Sequence, residues 1–407
     1  MSLKQHFEIP ARYKKWSFGL IAVGVLSLIV GFFLYGTGDD QHQARFWSAL
    51  LQNSVYFLLV VNAAMFFFCA TTLAMGGWTL SFRRVSEAIS ASVPLIGGIT
   101  FVILMIIVFG GKHQIYDWLD KDLVNKDEIL KGKKGFLNPT FFTIWTILAI
   151  GLWTILGIKM RTISREADKE PMSVEEGRRY IYKNTVWASL FIVWFALTVA
   201  STVPWLWLMS TNAHWFSTMY SWYAFGSTFV AGVSLIALFV VYLKNQGYLE
   251  YTNEEHLHDL GKFQFAFSIF WTYLWFAQFM LIWYANISEE TVYFKARFEG
   301  PYTGIFYLNL IINFLAPLLI YMKRSTKRNY TTVVFMSVAL LFGHWLDFYQ
   351  MVFASTSPNH VPLNLFDFGI AAGFVGLIMW KTGDVLSRYP LMSTNHPFFK
   401  ESVIHHT

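Results

Sequence analysis

Ten apolar runs, most of them free of Lys and Arg, divide this 407-residue chain: Trp16–Gly36, Phe46–Thr72, Ser92–Gly110, Pro139–Ile158, Trp187–Met209, Ser217–Leu243, Phe263–Ala285, Gly304–Met322, Thr331–Phe353 and Leu365–Trp380. A helix rises about 1.5 Å per residue, so roughly 20 apolar residues cross a 30 Å hydrocarbon core. Each run therefore predicts a transmembrane helix, and the fold class is an all-α integral membrane protein. The length alone would suggest two or three soluble domains. Composition overrides this: 55% of residues are hydrophobic and 14% charged, whereas soluble domains carry about 25% charged residues. The whole chain reads as one polytopic membrane domain.

The net charge of +6 does not indicate nucleic acid, because the basic residues lie in the connectors. Their distribution sets the orientation. With the N-terminus inside, 22 of the 31 Lys and Arg fall on the inner side, starting with Lys4, Arg12, Lys14 and Lys15. The other nine fall outside, among them Arg45, Lys295, Arg297 and six in the loop 111–138. Cytoplasmic loops carry the excess of Lys and Arg, so both chain ends are expected in the cytoplasm. The first run is long enough to span and no small-x-small cleavage site follows it, so it reads as an uncleaved helix. The tenth run is the shortest, and the even count requires it.

Two connectors are long enough for structure of their own. Loop 111–138 is mixed in charge and suits a capping or docking surface. The inner loop 159–183 contains Ser173-Val174-Glu175-Glu176, a capping-box pattern that predicts a helix running into the fifth span. Helices two to five and six to nine can form two four-helix bundles, with the first and tenth helices peripheral. Pro94, Pro204 and Pro317 predict kinks.

The sequence offers little to hold a redox centre. Cys69 is the one cysteine, which excludes a disulfide, a cysteine-ligated cluster or a C-x-x-C-H haem attachment. Of eleven His, including His360, only His344 lies well inside a predicted span, which argues against a bis-His haem. No metal ligand set or nucleotide motif is visible. Charge inside a span is costly and marks function by default. The ninth run contains His344 and Asp347 at i, i+3 on one helix face. Asp367 lies near the outer end of the tenth helix, Glu289 and Glu290 end the seventh, and His214 lies in the short loop between the fifth and sixth. These six groups are expected on the outer side, as candidates for a proton pathway or a quinone-headgroup pocket. Two simpler readings remain open: an interhelical hydrogen bond for the His344–Asp347 pair, and a helix cap for Asp367. Gln264, Gln278, Asn62, Asn309 and Asn313 read as interhelical polar contacts. Trp271, Tyr273, Trp275, Trp283 and Tyr284 read as packing and interfacial anchors.

Two blocks carry a resemblance. Trp207–Tyr220 reads WLMSTNAHWFSTMY, and Phe265–Thr291 reads FAFSIFWTYLWFAQFMLIWYANISEET. Both resemble signature blocks of the NrfD-like (PsrC-like) polysulfide-reductase membrane subunits, most closely the smaller such subunit of bacterial alternative complex III. The resemblance covers most of the chain, including the ten-span plan. It implies a subunit with no directly bound cofactor in a quinol:cytochrome c or quinol:oxidase oxidoreductase of the bacterial cytoplasmic (inner) membrane. The expected partners are a multihaem cytochrome c, an iron–sulfur protein and the larger NrfD-like subunit, with a haem–copper oxidase as a further partner and no nucleic acid. The c-type haems and iron–sulfur clusters would sit in those other subunits, and this chain would contact lipid or quinone. Asp347 matches the family's acidic position, and His344 is carried over with it. Two positions depart from the pattern: Leu206 stands where relatives carry Asp, and Ser221 where Gly is common. Outside this family, a secondary transporter and a purely structural subunit remain open.

Overall fold

The structure is a computed structural model that describes residues 6–358 and 363–406; Lys4 and His360 fall outside this range. Among the described residues, ten helices are long and apolar enough to cross a membrane: span 1 Ala11–Gly36, span 2 Asp40–Leu73, span 3 Arg83–Phe109, span 4 Pro139–Asp168, span 5 Val174–Asn212, span 6 Met219–Asn245, span 7 Glu254–Ala285, span 8 Thr303–Tyr321, span 9 Tyr330–Thr356 and span 10 Leu365–Arg388. No β-strand occurs among the described residues. The chain is an all-α, multi-pass integral membrane protein.

Several helices run past their apolar runs, because backbone hydrogen bonding continues where the side chains turn polar. Span 2 starts six residues earlier than the run, capped by Asp39, whose side chain accepts from the His42 backbone N–H. Arg45 is therefore buried in a helix rather than placed in a loop. Span 5 starts from the expected capping box, with Ser173 and Glu176 bonded reciprocally. Span 10 reaches Arg388, so the shortest run becomes a helix of 24 residues.

Spans 2 to 5 pack in one ring and spans 6 to 9 in a second; span 2 joins the rings through contacts with spans 6 and 9. Helices in lipid associate by close packing rather than by a hydrophobic driving force, which favours small residues where they cross. A Cβ on Gly232 of span 6 would lie 2.7 Å from Cβ of Ala63 on span 2. Spans 1 and 10 form a peripheral pair built the same way. A Cβ on Gly24 would lie 2.3 Å from Cα of Gly373, and Gly369 and Gly376 press on Ser27 and on the backbone at Ile21.

The prolines act through π-turns. Residues Thr198–Thr202 and Ile311–Leu315 form single π-turns just before Pro204 and Pro317, wide turns that accommodate a residue lacking an N–H. Ser221 donates to the Ser201 carbonyl within the first π-turn. At Pro94 the helix breaks outright, between Arg83–Ser90 and Val93–Phe109.

The two ends of the described chain lie on one face, termed the terminal face. There the last residues thread between connectors. Ser81 N–H donates to Ser402 Oγ at 3.0 Å, Asn253 Nδ2 to the His405 carbonyl at 3.3 Å, and Glu8 N–H to the Tyr248 hydroxyl at 3.1 Å. Beneath them, Arg84 pairs with Glu87 and Asp168 at 2.5 Å each and donates to Ser393 Oγ at 2.6 Å. Arg83 lies 3.3 Å from His396 Nε2. Burial, and then Arg83 and Arg84, push the His396 imidazole down to about 3.

The opposite face is capped by loop 111–138. Its two short helices, Lys121–Lys126 and Glu128–Lys133, start from Asp120 and Asp127. The Tyr116 hydroxyl donates to the Trp207 carbonyl at 2.8 Å and Lys133 Nζ to the Ala213 carbonyl at 2.5 Å, tying the loop to span 5 and the following turn.

Candidate functional site

Span 9 crosses the second ring from the terminal to the opposite face. Asp347 lies 17 residues from its first residue and 9 from its last, so it sits about 14 Å from the opposite end of the helix. His344 and Asp347 share a face, are fully buried and do not bond each other directly. Ser227 of span 6 lies between them, its Oγ 3.0 Å from His344 Nδ1 and donating to Asp347 Oδ2 at 2.9 Å. A hydroxyl has one proton to give. With that proton on Asp347, the contact with His344 requires a proton on Nδ1, which leaves Nε2 as a bare acceptor. Nε2 is buried without a partner.

Three more donors converge on Asp347. The Tyr223 hydroxyl and Asn309 Nδ2 (3.1 Å) bond Oδ1, and Trp271 Nε1 bonds Oδ2 at 3.0 Å. The donors come from spans 6, 7 and 8. A carboxylate offers about four lone-pair sites, and all four are filled. A proton can therefore reach Asp347 either along a bond already made to it or after one donor turns away. Tyr223 and Ser227 can rotate; the N–H groups of Trp271 and Asn309 can only donate.

Polar groups continue in both directions. Towards the terminal face, Gln264 donates to Ser234 Oγ (3.0 Å) and Ser337 Oγ (2.7 Å) and accepts from the Tyr321 hydroxyl (2.7 Å). Lys327 Nζ donates to the Tyr321 carbonyl. Ser337 and His344 are seven residues apart, about 10 Å along the helix. At intermediate levels Ser268 Oγ, Asn313 Oδ1 and His344 Nε2 are buried without partners. Towards the opposite face, the buried Tyr220 hydroxyl lies one turn beyond Tyr223 and also lacks a partner. Next comes Tyr293, stacked on Trp215 at 4.0 Å and covered by the Arg297 guanidinium at 3.4 Å. Arg297 donates to the carbonyls of Tyr293 (2.6 Å) and Gln350 (3.2 Å).

The other predicted residues lie towards the same face but in separate places. Asp367 does cap its own helix, within a box formed with Asn364. It also pairs with Arg45 Nη2 at 2.5 Å, while Arg45 Nη1 donates to the Tyr349 hydroxyl at 3.0 Å. His214 is half-exposed and bonds Asp127 of the capping loop at 2.5 Å. That contact and the backbone N–H groups at Leu130 and Ile129 hold the Asp127 carboxyl below its ordinary range. Glu289 is exposed beside Ser288, and Glu290 is half-exposed on the short helix Ser288–Phe298. That helix reaches the column through Arg297 instead.

Sequence reasoning passed over Tyr223, Ser227, Arg45 and Arg297, and read Trp271 as packing. Tyr223 and Ser227 share a face at i, i+4, a spacing too common in spans to single them out. Of the amides expected to bridge helices, Gln264 and Asn309 do so, whereas both side-chain atoms of Asn62 are buried without partners. Tyr273, Trp283 and Tyr284 are exposed, as lipid-facing anchors would be. Among the described residues no group of three or more His, Cys, Asp or Glu is placed to hold a metal ion. No protein-family model matches the chain, and no curated protein matches it.

Proposed function

We propose that the chain is a membrane subunit, without a cofactor of its own, of a quinol-oxidising respiratory complex in a bacterial cytoplasmic membrane. The smaller NrfD-like (ActF) type of alternative complex III is the closest description, on the strength of the two sequence blocks. Its terminal face would be cytoplasmic. Its partners would be the multihaem cytochrome, the iron–sulfur protein and the larger NrfD-like subunit, which hold the haems and clusters. The chain would supply scaffold and a proton route through spans 6 to 9.

The observation that carries the proton route is the line His344–Ser227–Asp347. A proton arriving at the bare Nε2 of His344 makes the ring cationic. The Nδ1 proton can then pass to Ser227 as Ser227 releases its own to Asp347. One proton enters at Nε2 and one is delivered to Oδ2 along the bond already made there; the serine ends neutral with its O–H turned towards Nδ1, and the imidazole ends with its proton on Nε2. Release would run towards the opposite face, where the Tyr223 hydroxyl can rotate off Oδ1 and the Tyr220 hydroxyl has no partner.

Asp347→Asn in the native complex tests the reading. The complex should assemble with its c-type cytochromes, and either quinol:cytochrome c turnover should fall at least tenfold or protons released per electron should fall to those that quinol oxidation itself frees. Assembly with unchanged turnover and proton release would leave only the scaffold. One observation favours a second reading, a secondary transporter: spans 5 and 8 are interrupted at π-turns, and transporter sites use discontinuous helices. Substrate-driven uptake by vesicles holding this chain alone would support that reading.

A further inference from the structure

Span 1 leans on span 10 and leaves an apolar groove between itself and spans 2 and 3. The groove holds about 1020 Å³ and is lined along span 1 from Ile21 to Phe33 and along span 3 from Pro94 to Ile106. Each wall is thirteen residues long, twelve rises or about 18 Å. That is close to the ~15 Å depth of one leaflet and well short of the 30 Å core. A transmembrane helix from a partner would need a groove of full depth. The exposed side chains of Val25, Phe33, Val102 and Ile106 show that the groove opens sideways, where lipid would lie.

The groove lies in the half of the protein towards the opposite face, and its end there is polar. Lys112, just past span 3, sits with its ammonium 5.7 Å from the ring of the groove-lining Trp47 and donates to Gln43 Oε1 at 2.9 Å. Among the described residues no carboxylate lies within 4 Å of it. Trp47 adds an indole N–H that is buried without an acceptor. A one-leaflet apolar slot ending in an unneutralised cation matches a molecule with hydrocarbon tails and an anionic head.

We propose that this groove is a retained glycerophospholipid site, with acyl chains between spans 1 and 3 and the phosphate on Lys112. The site is independent of the proton route, so either proposal can fail alone. Gly98 supplies the control, because it lines the groove and a Cβ there meets nothing within 4 Å. Gly98→Phe should therefore fill the slot without disturbing the fold.

The test uses the full chain, in its complex or in nanodiscs of phosphatidylethanolamine and phosphatidylglycerol, with a photo-cross-linking residue at Val102. Irradiation and mass spectrometry should give a diacyl phospholipid adduct that survives a detergent wash. Lys112→Ala should lower retained lipid about fivefold, the scale of one lysine's attraction to an anionic headgroup. Gly98→Phe should abolish the adduct while the melting temperature is unchanged. An adduct to a polypeptide, loss of all lipid on washing, or yields indifferent to both substitutions would each overturn the proposal.

Discussion

Replacing Asp367 with Asn removes one negative charge from a pair that is almost fully buried. Arg45 Nη2 and the Asn364 backbone N–H, at 2.5 Å and 3.0 Å, both bond Asp367 Oδ2. An Asn amide oxygen in the place of Oδ2 still accepts from both, and its NH2 takes the place of Oδ1, which has no partner, so the charge is what is lost. Arg45 then keeps neutral partners only, the amide oxygen and the Tyr349 hydroxyl, and its buried charge is no longer balanced. Removing one partner of a buried ion pair costs about 3–5 kcal/mol, mostly because the other charge stays buried. The helix cap survives, because the Asn364 side chain still accepts from Phe366 and Asp367 N–H. Arg45→Leu should cost a similar amount by stranding the carboxylate. The double variant Arg45→Leu/Asp367→Leu strands neither charge and should recover at least about 2 kcal/mol of the summed single losses. The assay is unfolding of the detergent-solubilised chain by increasing SDS, read from tryptophan fluorescence, as a double-mutant cycle. Additive single losses below about 1 kcal/mol each would refute the reasoning, since that is the behaviour of a solvated surface pair.

Two further expectations follow from other parts of the molecule. Gly373→Leu places a side chain where Gly24 already touches, so spans 1 and 10 should separate, and the detergent-solubilised chain should lose about 1–3 kcal/mol of stability to unfolding by SDS. His396, held near 3 by burial and by Arg83 and Arg84, binds fewer protons folded than unfolded between about pH 3 and 6.5, so stability rises with pH across that window. The docking of residues 389–406 should weaken by up to a few kcal/mol as pH falls from 6.5 towards 3, seen as faster proteolysis of the tail, and His396→Gln should flatten the dependence.

The spans were legible because each buries a polar backbone in lipid with about twenty apolar side chains, and few other structures need such runs. Their ends were not. Arg45 lies just before an apolar run that starts at Phe46, and hydropathy places it in a loop although the helix began at Asp40. His344 and Asp347 stood out because ionisable groups are rare in such runs. Their surroundings were hidden for a different reason. Ser227 and Tyr223 lie 117 and 124 residues from the groups they bond, and a serine or tyrosine in a span is too common to signal a partner. Trp271 shows the limit of composition: within one aromatic-rich helix it bonds a carboxylate, while Tyr273 two residues on faces lipid. Span parity assigns the six predicted groups to one end of the helices but says nothing about lateral distance, and three of them, His214, Glu289 and Glu290, belong to the surface.

The joining of the two rings through span 2 also bears on how the chain is made. Span 2 leaves the ribosome early, yet its polar side chains wait for late partners. Gln52 and Asn53 bond Trp345, 293 and 292 residues on, and Arg45 pairs with Asp367 after 322. At 5–20 residues per second this delay is roughly 15–60 s. For that time a charged arginine and two amides stand in a membrane without the groups that satisfy them. Insertion of this protein therefore calls for a holding device, an insertase or a sheltered lateral gate, that shields span 2 until spans 9 and 10 arrive.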